Sequence, residues 1–156
     1  MTKKTLIAVC CTILWLMFWR VTAAVAQAHK PVKWDFKVAS VTAEEATLVF
    51  TATLDEGWHI YSQFLQEDGP LPTTFTFTPS KDYTLAGKVK EESPAVKSYN
   101  DIFMMDIAWF EKTAVFVQKV KLHGPQVTVQ GKVEFMVCTE EMCLPGEAVP
   151  FSLSVR

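Results

Sequence analysis

Basic charge is scarce in this chain, and cysteine becomes scarcer once its first residues are set aside. The sequence holds 15 lysines and arginines against 17 aspartates and glutamates, and four cysteines. It opens "MTKKTLIAVCCTILWLMFWRVTAAVAQAHK", where Lys3 and Lys4 precede an apolar run from Thr5 to Trp19 and small residues recur at "AVAQA". That order predicts a secretory signal peptide over residues 1–26, with cleavage after Ala26 or Ala28. A transmembrane anchor needs about 20 apolar residues, and Arg20 ends this run early. A lipoprotein signal fails too, because Cys10 follows Val9 rather than a small residue and lies too early. The expected destination is a periplasm or an equivalent oxidising space.

Cleavage removes Lys3, Lys4 and Arg20, leaving 12 basic residues against 17 acidic ones, a net charge near −5. A surface of that sign argues against nucleic acid, which asks for a basic face. No polybasic stretch is present to hold an anionic membrane. Cys10 and Cys11 leave with the leader, so residues 27–156 keep only Cys138 and Cys143. They are predicted to form a single domain, long enough to bury a core without a covalent staple.

Helical periodicity is missing after residue 30, as are internal repeats and low-complexity linkers. Alternation takes its place. In "PVKWDFKVAS", Val32, Trp34, Phe36 and Val38 share one face, and Lys33, Asp35 and Lys37 the other, which predicts a half-buried strand. Strands are also predicted over 46–54, 73–79, 113–122, 127–137 and 149–155, with weaker ones near 58–61, 83–90 and 102–110. Gly131 reads as a bulge or turn. Seven to nine short strands in about 125 residues predict an all-β, immunoglobulin-like antiparallel β-sandwich.

The chemistry rests on "FMVCTEEMCLPGEAVPFSLSV", residues 135–155. Three readings of its cysteines are open. As a staple, a ring this small contributes roughly 2 kcal/mol by loop closure. As a zinc clip, it lacks partners: structural zinc takes four ligands, and His29, His59 and His123 show no ligand spacing. As a redox pair, it needs sulfurs that are close together and accessible. If Val133, Phe135 and Val137 face the core, Cys138 falls with Lys132, Glu134 and Met136, and is expected to leave the strand on its outer side. Glu140 and Glu141 lie inside the ring with Glu147 near, and no lysine or arginine occurs in the segment. Negative neighbours disfavour the thiolate, so slow reaction with random thiols is expected.

The chain resembles the N-terminal periplasmic domain of DsbD, the membrane thiol:disulfide interchange protein. The resemblance is carried by "DEGWHIYSQ" (55–63), "DGPLPTTFTFTPSKDYTLAGKV" (68–89), "KSYNDIF" (97–103), "FVQKVKL" (116–122) and, most specifically, "VEFMVCTEEMCLPGEAVPFSL" (133–153). It implies an immunoglobulin-like fold with a redox pair just before the last strand. It implies that Cys143 forms mixed disulfides with partners and that Cys138 resolves them. It further implies a cap loop at "NDIF" carrying Asp101 and Phe103, and supporting positions at Tyr61 and His59, with His59 in place of a family tyrosine; Glu140, inside the ring, is read as a third supporting residue from its place in the sequence. The implied partners are thioredoxin-like periplasmic proteins, of disulfide isomerase or cytochrome c maturation type. The implied electron donor is a membrane thiol reductase, here expected as a separate protein. No cofactor is expected, since both electrons reside on the sulfur pair. Two departures stand out: four residues separate the cysteines where the best-known members have five, and an acidic cap position falls on Ile102. Trp58, Trp109 and Phe110 read as core aromatics. The rival readings are a non-enzymatic binding domain with a structural disulfide, and an accessory subunit docking on a membrane reductase without exchanging electrons.

Overall fold

The computed structural model describes residues 30–155 apart from Glu67 and Ile102. The expected leader and the cap position at Ile102 therefore lie outside the described residues. Among the described residues the chain forms eleven strands: β1 Val32–Val41, β2 Glu45–Leu54, β3 His59–Tyr61, β4 Thr74–Phe77, β5 Tyr83–Glu91, β6 Val96–Asn100, β7 Met105–Glu111, β8 Thr113–Leu122, β9 Thr128–Phe135, β10 Val137–Cys138 and β11 Glu147–Ser154. All pairings between them are antiparallel.

Alternation decides which faces meet. β2 buries Ala46, Leu48, Phe50, Ala52 and Leu54, and β8 buries Ala114, Phe116, Gln118, Val120 and Leu122, while their intervening residues point outward. These strands lie at the centre of a sheet ordered β1-β2-β8-β5. A three-stranded sheet, β11-β9-β4, closes the sandwich over it. Phe50 meets Phe75 and Phe151 at ring-centroid distances of 5.0 Å, and Trp34 meets Phe135 at 5.5 Å. Each such phenylalanine contributes about 1.5–3 kcal/mol by leaving water. The fold is the immunoglobulin-like antiparallel sandwich that the alternation predicts.

Gly131 is neither bulge nor turn. It sits within β9, paired to Phe77 on one side and Phe151 on the other. A Cβ there would lie 2.3 Å from the Thr76 carbonyl oxygen and 2.6 Å from Phe151 Cζ. The glycine lets two neighbours approach the backbone. Gly131→Ala is expected to destabilise the fold by about 2–3 kcal/mol, the cost of overpacking a closed site. Urea unfolding measures it, and an unchanged midpoint would show that the strands part without strain.

A third sheet, β10-β3-β7-β6, carries the remaining strands. Its inner face adds Ile60, Phe110 and Val137 to the main core, with Phe110 5.5 Å from Phe116. Its outer face is covered as well. Tyr61, Ile107 and Cys138 are buried there, with Leu65, Met105, Trp109 and Met136 packed against them. The chain after β3 is tied down by Glu91, whose carboxylate accepts from Ser62 Oγ at 3.0 and 3.1 Å and from the Gln63 N–H at 2.7 Å. Thr73 Oγ1 donates to the Tyr61 carbonyl at 2.6 Å.

Candidate functional site: a disulfide hairpin beside an aromatic groove

The site begins where one strand changes sheets. β9 ends at Phe135 in its ladder with β11, and after Met136 the chain pairs with β3 as β10. The in-and-out alternation survives this corner. Phe135 and Val137 reach the main core, and Met136 and Cys138 take the opposite face. The sequence parity placed Cys138 correctly, but the inference that this face meets solvent is corrected: Cys138 is 1% exposed. The second apolar cluster covers it.

A tight hairpin follows. The Thr139 N–H donates to the Met142 carbonyl at 2.8 Å, and the Leu144 N–H donates to the Val137 carbonyl at 2.9 Å. Thr139 Oγ1 accepts from the N–H groups of Glu141 and Met142, at 3.2 and 3.1 Å, which fixes the turn. Cys138 and Cys143 thus oppose each other as a non-hydrogen-bonded pair, the position where antiparallel strands come closest. Their Cα atoms are 4.0 Å apart and their sulfurs are bonded. Cys143 is exposed, while Cys138 lies behind it. Glu140 and Glu141 are exposed on the turn, and Glu147 pairs with Lys30 at 3.1 Å on the surface.

Beside the hairpin lies an open groove of about 510 Å³, lined by His59, Tyr61, Phe103, Trp109, Glu140 and Cys143 among others. Phe103 reaches it from the loop between β6 and β7. Asn100 Oδ1 accepts the Phe103 N–H at 3.1 Å, and Met104 takes φ 51° to turn the chain into β7. Asp101 is exposed in the same loop and does not line the groove. Trp109 packs against the second apolar cluster and also forms a wall of the groove: it is half-buried, 5.9 Å from the His59 ring, and donates from Nε1 to Glu111 Oε1 at 2.9 Å. Phe110, next in sequence, points into the main core.

His59 stands between Cys138 on β10 and Glu111 on β7, in register with both. Its Nε2 is 3.3 Å from the Tyr61 hydroxyl oxygen. Burial lowers the His59 pKa from its ordinary value, against the opposing pull of Glu111 and Glu140. Burial raises that of Tyr61. The unfolded chain therefore binds a proton at His59 more readily than the folded one, so this residue's contribution to stability is complete above about pH 6.5 and falls on acidification. His59→Gln is expected to flatten that part of the difference between urea midpoints at pH 5 and pH 7.5. Equal slopes for both proteins would mean that His59 charges freely in place.

The sequence profile described as "Thiol:disulfide interchange protein DsbD, N-terminal" matches residues 26–154. This chain belongs to the DsbD N-terminal family. Among solved structures it is similar to the N-terminal periplasmic domain of ScsB from Proteus mirabilis, at TM-score 0.56 and 14% identity, over 81% of this chain. It spans 46% of that ScsB chain. It is also similar to the reduced DsbD N-terminal domain of Neisseria meningitidis, at TM-score 0.49 and 16% identity, over 73% of this chain and 79% of that one. No curated protein sequence matches it. Among its described residues no helix is long and apolar enough to cross a membrane.

Proposed function

We propose that this DsbD-type domain is a periplasmic thiol–disulfide exchange module, relaying electrons through Cys138 and Cys143 from a membrane thiol reductase to thioredoxin-like proteins. The observation that carries this reading is the asymmetry of the pair: Cys143 is an exposed residue lining the groove, and Cys138 is buried. A donor thiolate attacks Cys143 Sγ, the Cys138–Cys143 bond breaks, and Cys138 leaves and takes a proton. The donor's second thiol then frees Cys143 and leaves the donor oxidised. In the forward direction the Cys143 thiolate attacks a partner disulfide, and Cys138 displaces the partner's sulfur. No cofactor enters these steps.

Phe103 and Asp101 are assigned to a cap over the pair, and Tyr61, His59 and Glu140 to its support. Met104 on the cap loop is 77% exposed and Met142 on the hairpin 53% exposed, and soft side chains of this kind suit an adaptable protein contact. Equilibration in glutathione buffers, with free thiols counted by alkylation and mass, tests the reading. A potential of roughly −180 to −270 mV lies with exchange proteins, whereas one below about −300 mV is typical of structural disulfides. The second result would make this a binding domain with a stapled loop.

A further inference from the structure

Three neighbouring strands bring a cysteine, a histidine and a glutamate into one row. Cys138 pairs with His59, and His59 pairs with Glu111. Residues directly opposite on antiparallel strands share a face, with Cβ atoms about 4.5–5.5 Å apart. We infer that this row is a proton relay, in which His59 takes the proton from the buried Cys138 thiol and Glu111 stabilises the imidazolium that results. The inference rests on the exchange reading above and adds to it the group that activates the resolving cysteine.

The need follows from burial. Cys138 lies among Tyr61 and Ile107 at 1% exposure, where a thiolate has little water to solvate it and a base in solution cannot reach it. His59 is half-buried, and it lines both the groove beside Cys143 and an adjoining depression of about 680 Å³. The register sets His59 directly opposite Cys138, its ring packs on Tyr61 and Trp109, and it borders open space through which a proton can leave. The groups around it are disposed for an acceptor. Tyr61 on its own strand meets Nε2, and Glu111 on β7 and Glu140 on the hairpin turn both favour the charged ring. Asp55, Glu56 and Lys112 line the same depression. Glu111 is held in turn by the Trp109 indole N–H. Burial keeps the imidazole neutral near pH 7, and so able to accept.

The step balances. In a mixed disulfide on Cys143, the Cys138 S–H proton passes to the imidazole and the resulting thiolate attacks Cys143 Sγ. The Cys138–Cys143 bond forms, the bond from Cys143 to the partner sulfur breaks, and the partner leaves as a thiolate that is protonated by solvent. The imidazolium returns its proton to solvent.

Stopped-flow reaction of the reduced protein with dithiobis-nitrobenzoate isolates this step. The first thionitrobenzoate released reports attack by Cys143. The second, released at a rate independent of reagent concentration, reports resolution by Cys138. The wild-type second phase is expected to show an inflection below the ordinary histidine range. His59→Gln should lose that inflection and slow the second phase at pH 7 by roughly a hundredfold, the low end of general-base effects. Glu111→Gln, a change at an exposed residue, should move the inflection to lower pH. A folded His59→Gln protein with an unchanged second phase overturns the relay. Should that variant not fold, an unmoved inflection in Glu111→Gln overturns it equally. A wild-type protein that releases no second thionitrobenzoate fails at the exchange reading itself, and the relay falls with it.

Discussion

Cys143→Ala is expected to abolish mixed disulfides with a thioredoxin-like partner, and Cys138→Ala to accumulate them. The contrast follows from where the two sulfurs stand. Exchange needs near in-line approach of one sulfur to another, so access sets the rate as much as thiolate fraction does. Cys143 projects from an exposed turn, whereas Cys138 is enclosed by Tyr61 and Ile107 on its own face of the sheet. Without Cys143, the initial rate of adduct formation should fall by at least roughly a hundredfold, equivalent to ~2.7 kcal/mol or more in the barrier, which leaves no adduct on the timescale of the wild-type reaction. Without Cys138 the first attack proceeds, but nothing displaces the partner. Non-reducing electrophoresis of each variant with an oxidised thioredoxin-like protein reads both outcomes. Adducts that persist in Cys143→Ala would assign the attacking sulfur to Cys138 and require the groove to open far wider than it stands.

Phe103→Ala should speed reduction of the disulfide by small thiols by roughly tenfold, a change of ~1.4 kcal/mol in the barrier. Phe103 hangs from the loop between β6 and β7 and lines the same groove as Cys143. Its backbone is fixed by Asn100, so the ring is presented by a defined turn. The competing role is packing, and magnitude separates the two. A phenylalanine in the core costs about 3–5 kcal/mol when cut to alanine. A half-buried ring on a surface loop should cost far less. The expected pattern is faster reaction with a small thiol and little change in urea midpoint. A large loss of stability with an unchanged rate would return Phe103 to packing and leave the cysteines uncapped.

The long alternating strands were legible in the sequence because one face of each is apolar over many residues. β1, β2 and β8 declare themselves through Trp34, Phe50 and Phe116 with their neighbours two apart. β6 was missed because it is an edge strand: Val96 and Tyr99 are 43% and 58% exposed, and no buried face imposes a period on "VKSYN". Gly131 was misread since a glycine in a strand marks either a bulge or a close approach, and only the pairing partners Phe77 and Phe151 decide which.

The sequence singled out Cys138, Cys143, Tyr61, His59 and Phe103, and the fold brings His59, Tyr61, Phe103 and Cys143 to one groove. Trp109 and Glu111 escaped because their place beside His59 and Tyr61 comes from the pairing of β3 with β7, residues about 50 apart in sequence. No local pattern in "MDIAWFE" distinguishes the face turned to His59 from the face turned to Phe116. Cys138 shows the same limit from another side. Its parity could be counted along the strand, but the cover over that face comes from Ile107 and Tyr61, which sequence order does not bring near.

The hairpin has a consequence for the reduced protein. The bond from the Leu144 N–H to the Val137 carbonyl, and the β9–β11 ladder from Phe135 paired with Glu147 to Thr128 paired with Ser154, do not pass through sulfur. Breaking the disulfide therefore leaves both thiols held on facing positions of one frame. Each sees the other at an effective concentration set by backbone hydrogen bonds rather than by the wandering of a free loop. Reclosure then needs no search, so on the proposed exchange role a mixed disulfide on Cys143 is expected to be short-lived, with the partner released once Cys138 gives up its proton.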